Sequence, residues 1–136
     1  MRTISTTSAT LAEVDYLTRI QTGRHQLIAD EPAGAGGADA GPAPYDYLLA
    51  GLAACTLMTL RMYAQKKHWE IGTLDVTITL GKDHDKQTHI HRQLSSSAAL
   101  TAQQWENLLE IAARTPVTLT LLQGAAITTE RTGERP

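Results

Sequence analysis

Apolar positions recur along this chain with helical spacing in two long segments and with strand spacing between them. Residues 44–69 carry the strongest helical pattern. Leu48, Leu52, Cys55, Thr59 and Met62 share one face, and Leu49, Ala53, Leu57, Leu60 and Ala64 form a second apolar stripe. With both stripes present, the first half is hydrophobic nearly all round and needs cover on all sides. Pro44 at the start and Lys66 and Lys67 near the end fit helix polarity. The segment "LTAQQWENLLEIAAR" predicts an amphipathic helix. Thr101 and Gln104 make a capping box, Trp105, Leu108, Leu109 and Ala112 form the buried stripe, and Thr115-Pro116 ends it.

In "TLDVTITL", residues 73–80, Leu74, Val76, Ile78 and Leu80 alternate with polar residues, the pattern of a half-buried strand. "GKDHDKQ" is a polar turn, and "THIHRQLS" is a second, less regular strand returning as a hairpin. Upstream, "DYLTRIQTGRHQLIAD" splits at Gly23 into another hairpin. The Ser/Thr-rich start reads equally as an edge strand or a frayed end. Glycine, alanine and proline in "PAGAGGADAGPAP", residues 32–44, predict a mobile loop before the long helix. The tail "VTLTLLQGAAITTE" fits a hairpin turning at Gln123-Gly124, or a short helix with Thr115 as N-cap and Pro116 at the first position.

At 136 residues the chain reads as one domain, 1–136, of ordinary soluble composition: 42% hydrophobic, 19% charged, net charge −2. That balance, with no basic patch, excludes an electrostatic nucleic-acid partner. The first residues lack the apolar core of a signal peptide. The uninterrupted apolar stretch, residues 47–60, is about 14 residues against the ~20 that span a bilayer. No membrane association is expected, and a single cysteine suits a reducing compartment, so the expected location is cytoplasmic.

That cysteine, Cys55, is the main candidate for chemistry. In an apolar helix it is either a small hydrophobe filling the core or a nucleophile that needs outside help, because the N-terminal helix dipole fades within about one turn. His89 and His91 share a strand face near His84, a spacing that can ligate zinc or copper, but the segment is polar and reads as a solvated face. His25 reads as packing or capping locally. Arg61 and Arg24 are candidate buried charges; Arg61 lies about 240° round the helix from Cys55 and is expected to form a structural ion pair. "GAGGADAG" lacks the strand-to-helix context and the lysine of a phosphate loop. No metal and no cofactor are expected.

Three motifs occur in one order: "DEP" with a Gly-rich loop ending "GPAPYDYLLAGLAACT", then "LRMYAQKKHW", then "LTAQQWENLLEIAARTPV". Over residues 16–130 this order resembles the OsmC/Ohr family (osmotically inducible protein C and organic hydroperoxide resistance protein). The resemblance implies an α+β fold, with curved antiparallel sheets around long central helices in an intertwined homodimer. It also implies thiol-dependent reduction of organic hydroperoxides by two cysteines. Cys55 in "LAACT" matches the first. The second, in a Cys-Pro-Val type motif, falls on Thr115 in "ARTPV", so this chain resembles a branch lacking it. The family's glutamate before the central helix falls on Tyr45, with Asp46 next to it, and its early-strand arginine on Arg19 or Arg24. The implied activity is a one-cysteine peroxidase resolved by an external thiol or dithiol reductant. The rival is a non-catalytic homodimer binding a small hydrophobic molecule at its interface.

Overall fold

The computed structural model describes residues 1–133. The chain is α+β, with two antiparallel sheets and three α-helices among the described residues, and divides into two compact units, residues 1–51 and those from Leu52 onward.

In the first unit β1 (Thr7–Leu11), β2 (Thr18–Thr22) and β3 (His25–Ala29) form one sheet in chain order. The Ser/Thr-rich start is therefore a paired edge strand, with Thr7 opposite Thr22 and Leu11 opposite Thr18. The hairpin turns at Gly23, whose φ of 58° suits glycine, and brings Thr22 opposite His25.

The Gly-rich segment departs from the expectation of a mobile loop. It holds one 3-10 turn, Ala33–Ala35, and folds around Asp30, which is 3% exposed. The Asp30 carboxylate accepts from the amides of Glu31 (2.8 Å), Ala38 (3.2 Å) and Ala40 (3.1 Å), while the Asp30 amide donates to the Pro42 carbonyl at 3.2 Å. Gly37 is required by the close approach, since a Cβ there would lie 2.0 Å from the Glu31 carbonyl oxygen. Composition shows that such a segment makes few contacts of its own. It does not show that a buried acceptor beside it will collect the segment's amides.

Helix α1 spans Pro44–Lys67. Asp46 in its first turn accepts from the Ala43 amide at 3.0 Å. The helix stops two residues short of Trp69 because His68 takes the left-handed conformation, φ 59°. The His68 amide then donates to Gln65 O (3.2 Å) and the Trp69 amide to Ala64 O (2.9 Å), the Schellman ending with histidine where glycine is usual. Of the two stripes read from sequence, neither is buried as drawn. The buried residues Leu52, Thr56, Leu60 and Ala64 form a single row at i, i+4. Leu48, Met58 and Met62 stay exposed. The helix continues apolar past Arg61, so an 18-residue window has mean hydropathy 1.3, and by length and composition alone α1 could cross a membrane.

In the second unit β4 (Leu74–Lys82) pairs with β5 (Thr88–Ser96), and Ile78 faces Arg92. The alternation expected for residues 73–80 holds, with Leu74, Val76, Ile78 and Leu80 half-buried. Helix α2 (Ala102–Ala112) begins with the expected capping box, Gln104 N donating to Thr101 Oγ1 at 3.0 Å and Thr101 N to Gln104 Oε1 at 2.9 Å. It buries Leu108 and Ala112, but Leu109 is 54% exposed, because one residue of rotation carries it off the stripe. Leu60, Ala64, Ile71, Leu108 and Ala112 make the core, with Tyr63, Trp69 and Trp105 packed against it. Of the two forms open for the tail, the helix is realised as α3 (Pro116–Gln123), with Thr115 as N-cap.

Candidate functional site

Cys55 sits half-buried on α1 as a free thiol, its Sγ 3.9 Å from Thr59 Oγ1 one turn on. The next residue, about 100° round the helix, points into the core. Thr56 is fully buried, and its hydroxyl donates to Leu52 O at 2.7 Å. Its proton spent, Thr56 Oγ1 is free to accept, and Arg92 Nη1 donates to it at 2.9 Å. The same nitrogen, which carries two hydrogens, donates to Thr118 Oγ1 at 3.0 Å. Thr118 in turn exchanges a hydrogen bond of 2.7 Å with Thr115 Oγ1, which is fully buried. Thr115 makes no side-chain bond to the backbone of the helix it caps; its hydroxyl is engaged here instead.

One guanidinium on β5 thus ties α1 to the first turn of α3 through three threonine hydroxyls. All three are neutral. Among the described residues the one ion pair is His89–Asp83, 2.7 Å, so no carboxylate there balances the Arg92 charge.

Of the residues singled out from sequence, Cys55 neighbours this cluster along α1 and Thr115 belongs to it. Tyr45, 58% exposed, and Asp46 lie in the first turn of α1, within residues 1–51, and Asp46 is engaged by the Ala43 amide. Arg19 is exposed on β2 between Thr10 and Ile28, and Arg24 is exposed in the hairpin turn, so Arg24 is not a buried charge. Arg61 forms no ion pair among the described residues. It is exposed and donates from Nη2 to Gly72 O at 2.6 Å, sealing the carbonyl that precedes β4. His25, His84, His89 and His91 are all exposed. Asp83 holds its turn by accepting from the Asp85 and Gln87 amides, each at 2.9 Å, and its pKa is lowered chiefly by the hydrogen bond with His89. Among the described residues no group of three His, Cys, Asp or Glu is placed to hold a metal.

Arg92 was not legible as a site residue. Its signal was period-2 placement: Ile90, Arg92 and Leu94 share one strand face, and a cation on the apolar face of a strand needs acceptors. A second feature of this unit is an open groove of about 500 Å³ lined by Leu57, Met58, Arg61, Met62, Gln65, Thr73 and Leu74.

A family model for OsmC-like proteins matches residues 36–130. No curated protein is a detectable relative by sequence. Among solved structures, an OsmC-like protein from Mycoplasma pneumoniae superposes with a TM-score of 0.70 at 23% identity, covering 90% of this chain and 89% of its own. An organic hydroperoxide resistance protein OsmC from Legionella pneumophila gives 0.66 at 18% identity, covering 88% and 89%. The organic hydroperoxide resistance protein OhrB of Bacillus subtilis gives 0.59 at 23% identity, covering 87% and 90%.

Proposed function

The chain belongs to the OsmC-like family, and on that premise we propose that it reduces organic hydroperoxides through Cys55 alone, with an external thiol completing the cycle. The observation that carries this reading is a single free thiol on the long apolar helix, half-buried and unbonded to any other sulfur. The Cys55 thiolate attacks one oxygen of the peroxide, the O–O bond breaks, and the alkoxide leaves as an alcohol after taking a proton from solvent. Cys55 is left as the sulfenic acid. Because Thr115 stands where the family's second cysteine falls, an external thiol condenses with the sulfenic acid and releases water. A second external thiol then frees Cys55 and departs as a disulfide. The peroxide is reduced by two electrons, which the two external thiols supply. Tyr45, Asp46, Arg19 and Arg24 remain the candidates for the family's glutamate and arginine positions.

The unit that acts is a homodimer. Leu48, Met58 and Met62 lie exposed on a helix apolar on most faces, and a second copy of the chain is the partner that covers them. Lipid is a poorer cover, because α1 packs its buried row on its own chain and bonds Arg92 through Thr56. The location is cytoplasmic, where a reducing thiol pool regenerates Cys55. Sedimentation is expected to give twice the 14.7 kDa chain mass.

The groove beside Met58 and Met62 favours one alternative, a non-catalytic homodimer that binds a small hydrophobic molecule. Steady-state consumption of cumene hydroperoxide with a monothiol reductant decides between them. Turnover lost in Cys55→Ser supports the peroxidase. Equal, slow consumption by wild type and Cys55→Ser supports the binding protein.

A further inference from the structure

Arg92 is half-buried on β5 and spends only Nη1 on the protein, donating to Thr56 and Thr118. A guanidinium has five N–H donors in one plane, and the Nε and Nη2 hydrogens form a parallel pair along the edge that Nη1 leaves open. Neither nitrogen has an acceptor among the described residues. No side-chain nitrogen or oxygen there is both fully buried and unpartnered, so neither nitrogen is completely sealed from solvent. The guanidinium is a cation held at one corner by neutral hydroxyls, its bidentate edge open and without a counter-charge.

We propose that the open edge of Arg92 is a binding site for the carboxylate of a small organic acid with an apolar tail. The two oxygens of a carboxylate match the Nε and Nη2 hydrogens, and one negative charge balances the one cation. The tail follows from the strand face. Ile78 lies directly opposite Arg92 in the register, and Ile90 and Leu94 flank it at two-residue spacing on the same face, so the strand face that carries the cation is otherwise apolar. Thr56 and Thr118 fix the guanidinium before the ligand arrives, which reduces the ordering cost of binding. The site is independent of peroxide chemistry and is read without turnover.

The test is calorimetric titration of the full-length protein with octanoate, 1-octanol and inorganic phosphate. Octanoate is expected to bind at one site per chain; 1-octanol, which loses the charge-assisted bidentate contact, and inorganic phosphate, which keeps that contact but has no apolar tail, are each expected to bind at least about tenfold more weakly. Arg92→Met is expected to weaken octanoate by at least about tenfold. Arg92→Lys, which keeps the charge and loses the fork, guards against a folding defect and is expected to weaken octanoate with an unchanged circular dichroism spectrum. Equal binding of octanoate and 1-octanol, tighter binding of phosphate, no binding of octanoate, or octanoate binding unchanged in Arg92→Lys would each overturn the proposal.

Discussion

If Arg92 joins two helices through buried hydroxyls, Thr56 and Arg92 must be energetically coupled. Thr56→Val keeps the side-chain volume and removes two hydrogen bonds: the donation to Leu52 O at 2.7 Å and the acceptance from Arg92 at 2.9 Å. The first is a local bond within a helix that already bonds its carbonyls, and its net loss is small. The second involves a charged donor and is worth about 1.5–3 kcal/mol, less what a methyl gains in an apolar site. We expect Thr56→Val to destabilise by about 1–2 kcal/mol. Arg92→Met removes the same bond together with the one to Thr118. The double variant should therefore cost less than the sum of the two singles, with a coupling of roughly 1–2 kcal/mol. Urea denaturation followed by circular dichroism measures this, at one fixed protein concentration because dimerisation would otherwise enter the stability. Strict additivity of the two substitutions would refute the bridge between β5 and α1.

Acid should loosen the segment that follows β3. The Asp30 carboxyl lies below the ordinary aspartate range, chiefly through the Ala40 amide, with the Glu31 and Ala38 amides adding and burial opposing. A depressed carboxyl stabilises above the unfolded value near 4 and loses that contribution as pH falls through the folded value. Limited proteolysis within residues 31–43 should therefore rise only in strong acid for wild type, and already at neutral pH for Asp30→Asn; equal cleavage of the two at neutral pH would remove the role assigned to the carboxylate. Replacing His68 by glycine should stabilise by roughly 0.5–1 kcal/mol, because the left-handed C′ position no longer carries a Cβ. A lower melting temperature in that variant would mean that the His68 side chain contributes more than the strain costs. Thr115→Cys should form a disulfide with Cys55 after one equivalent of organic hydroperoxide if the two Cα atoms lie within ~7 Å, seen as loss of free thiol on non-reducing peptide mapping.

What could be read from the sequence was what the local pattern decides. The capping box at Thr101 and Gln104, the alternation from Leu74 to Leu80 and the turn at Gly23 each depend on neighbours a few residues away, and each stands in the structure. Long-range acceptors were not readable. Ordering of the Gly-rich segment depends on one buried carboxylate, Asp30, which composition treats as another polar residue. Arg61 looked buried because it interrupts an apolar helix, yet its side chain reaches a carbonyl at the rim, Gly72 O. Arg92 looked ordinary within "THIHRQLS", and its partners are 36 and 26 residues away. The site was half visible for the same reason. Cys55 stood out as the lone cysteine and the resemblance brought Thr115 forward, but nothing in the sequence around Thr115 indicated that its hydroxyl enters a network ending on β5.

The central claim is that Cys55 is oxidised by an organic hydroperoxide and has no thiol of its own chain to resolve it. Intact-mass and peptide spectra of the reduced wild-type protein, taken after one equivalent of cumene hydroperoxide with a dimedone trap present, address it directly. The account predicts the trapped sulfenic acid on Cys55, and, without trap or reductant, a rise to the sulfinic acid under excess peroxide. A Cys55 that remains a free thiol under excess peroxide would contradict it.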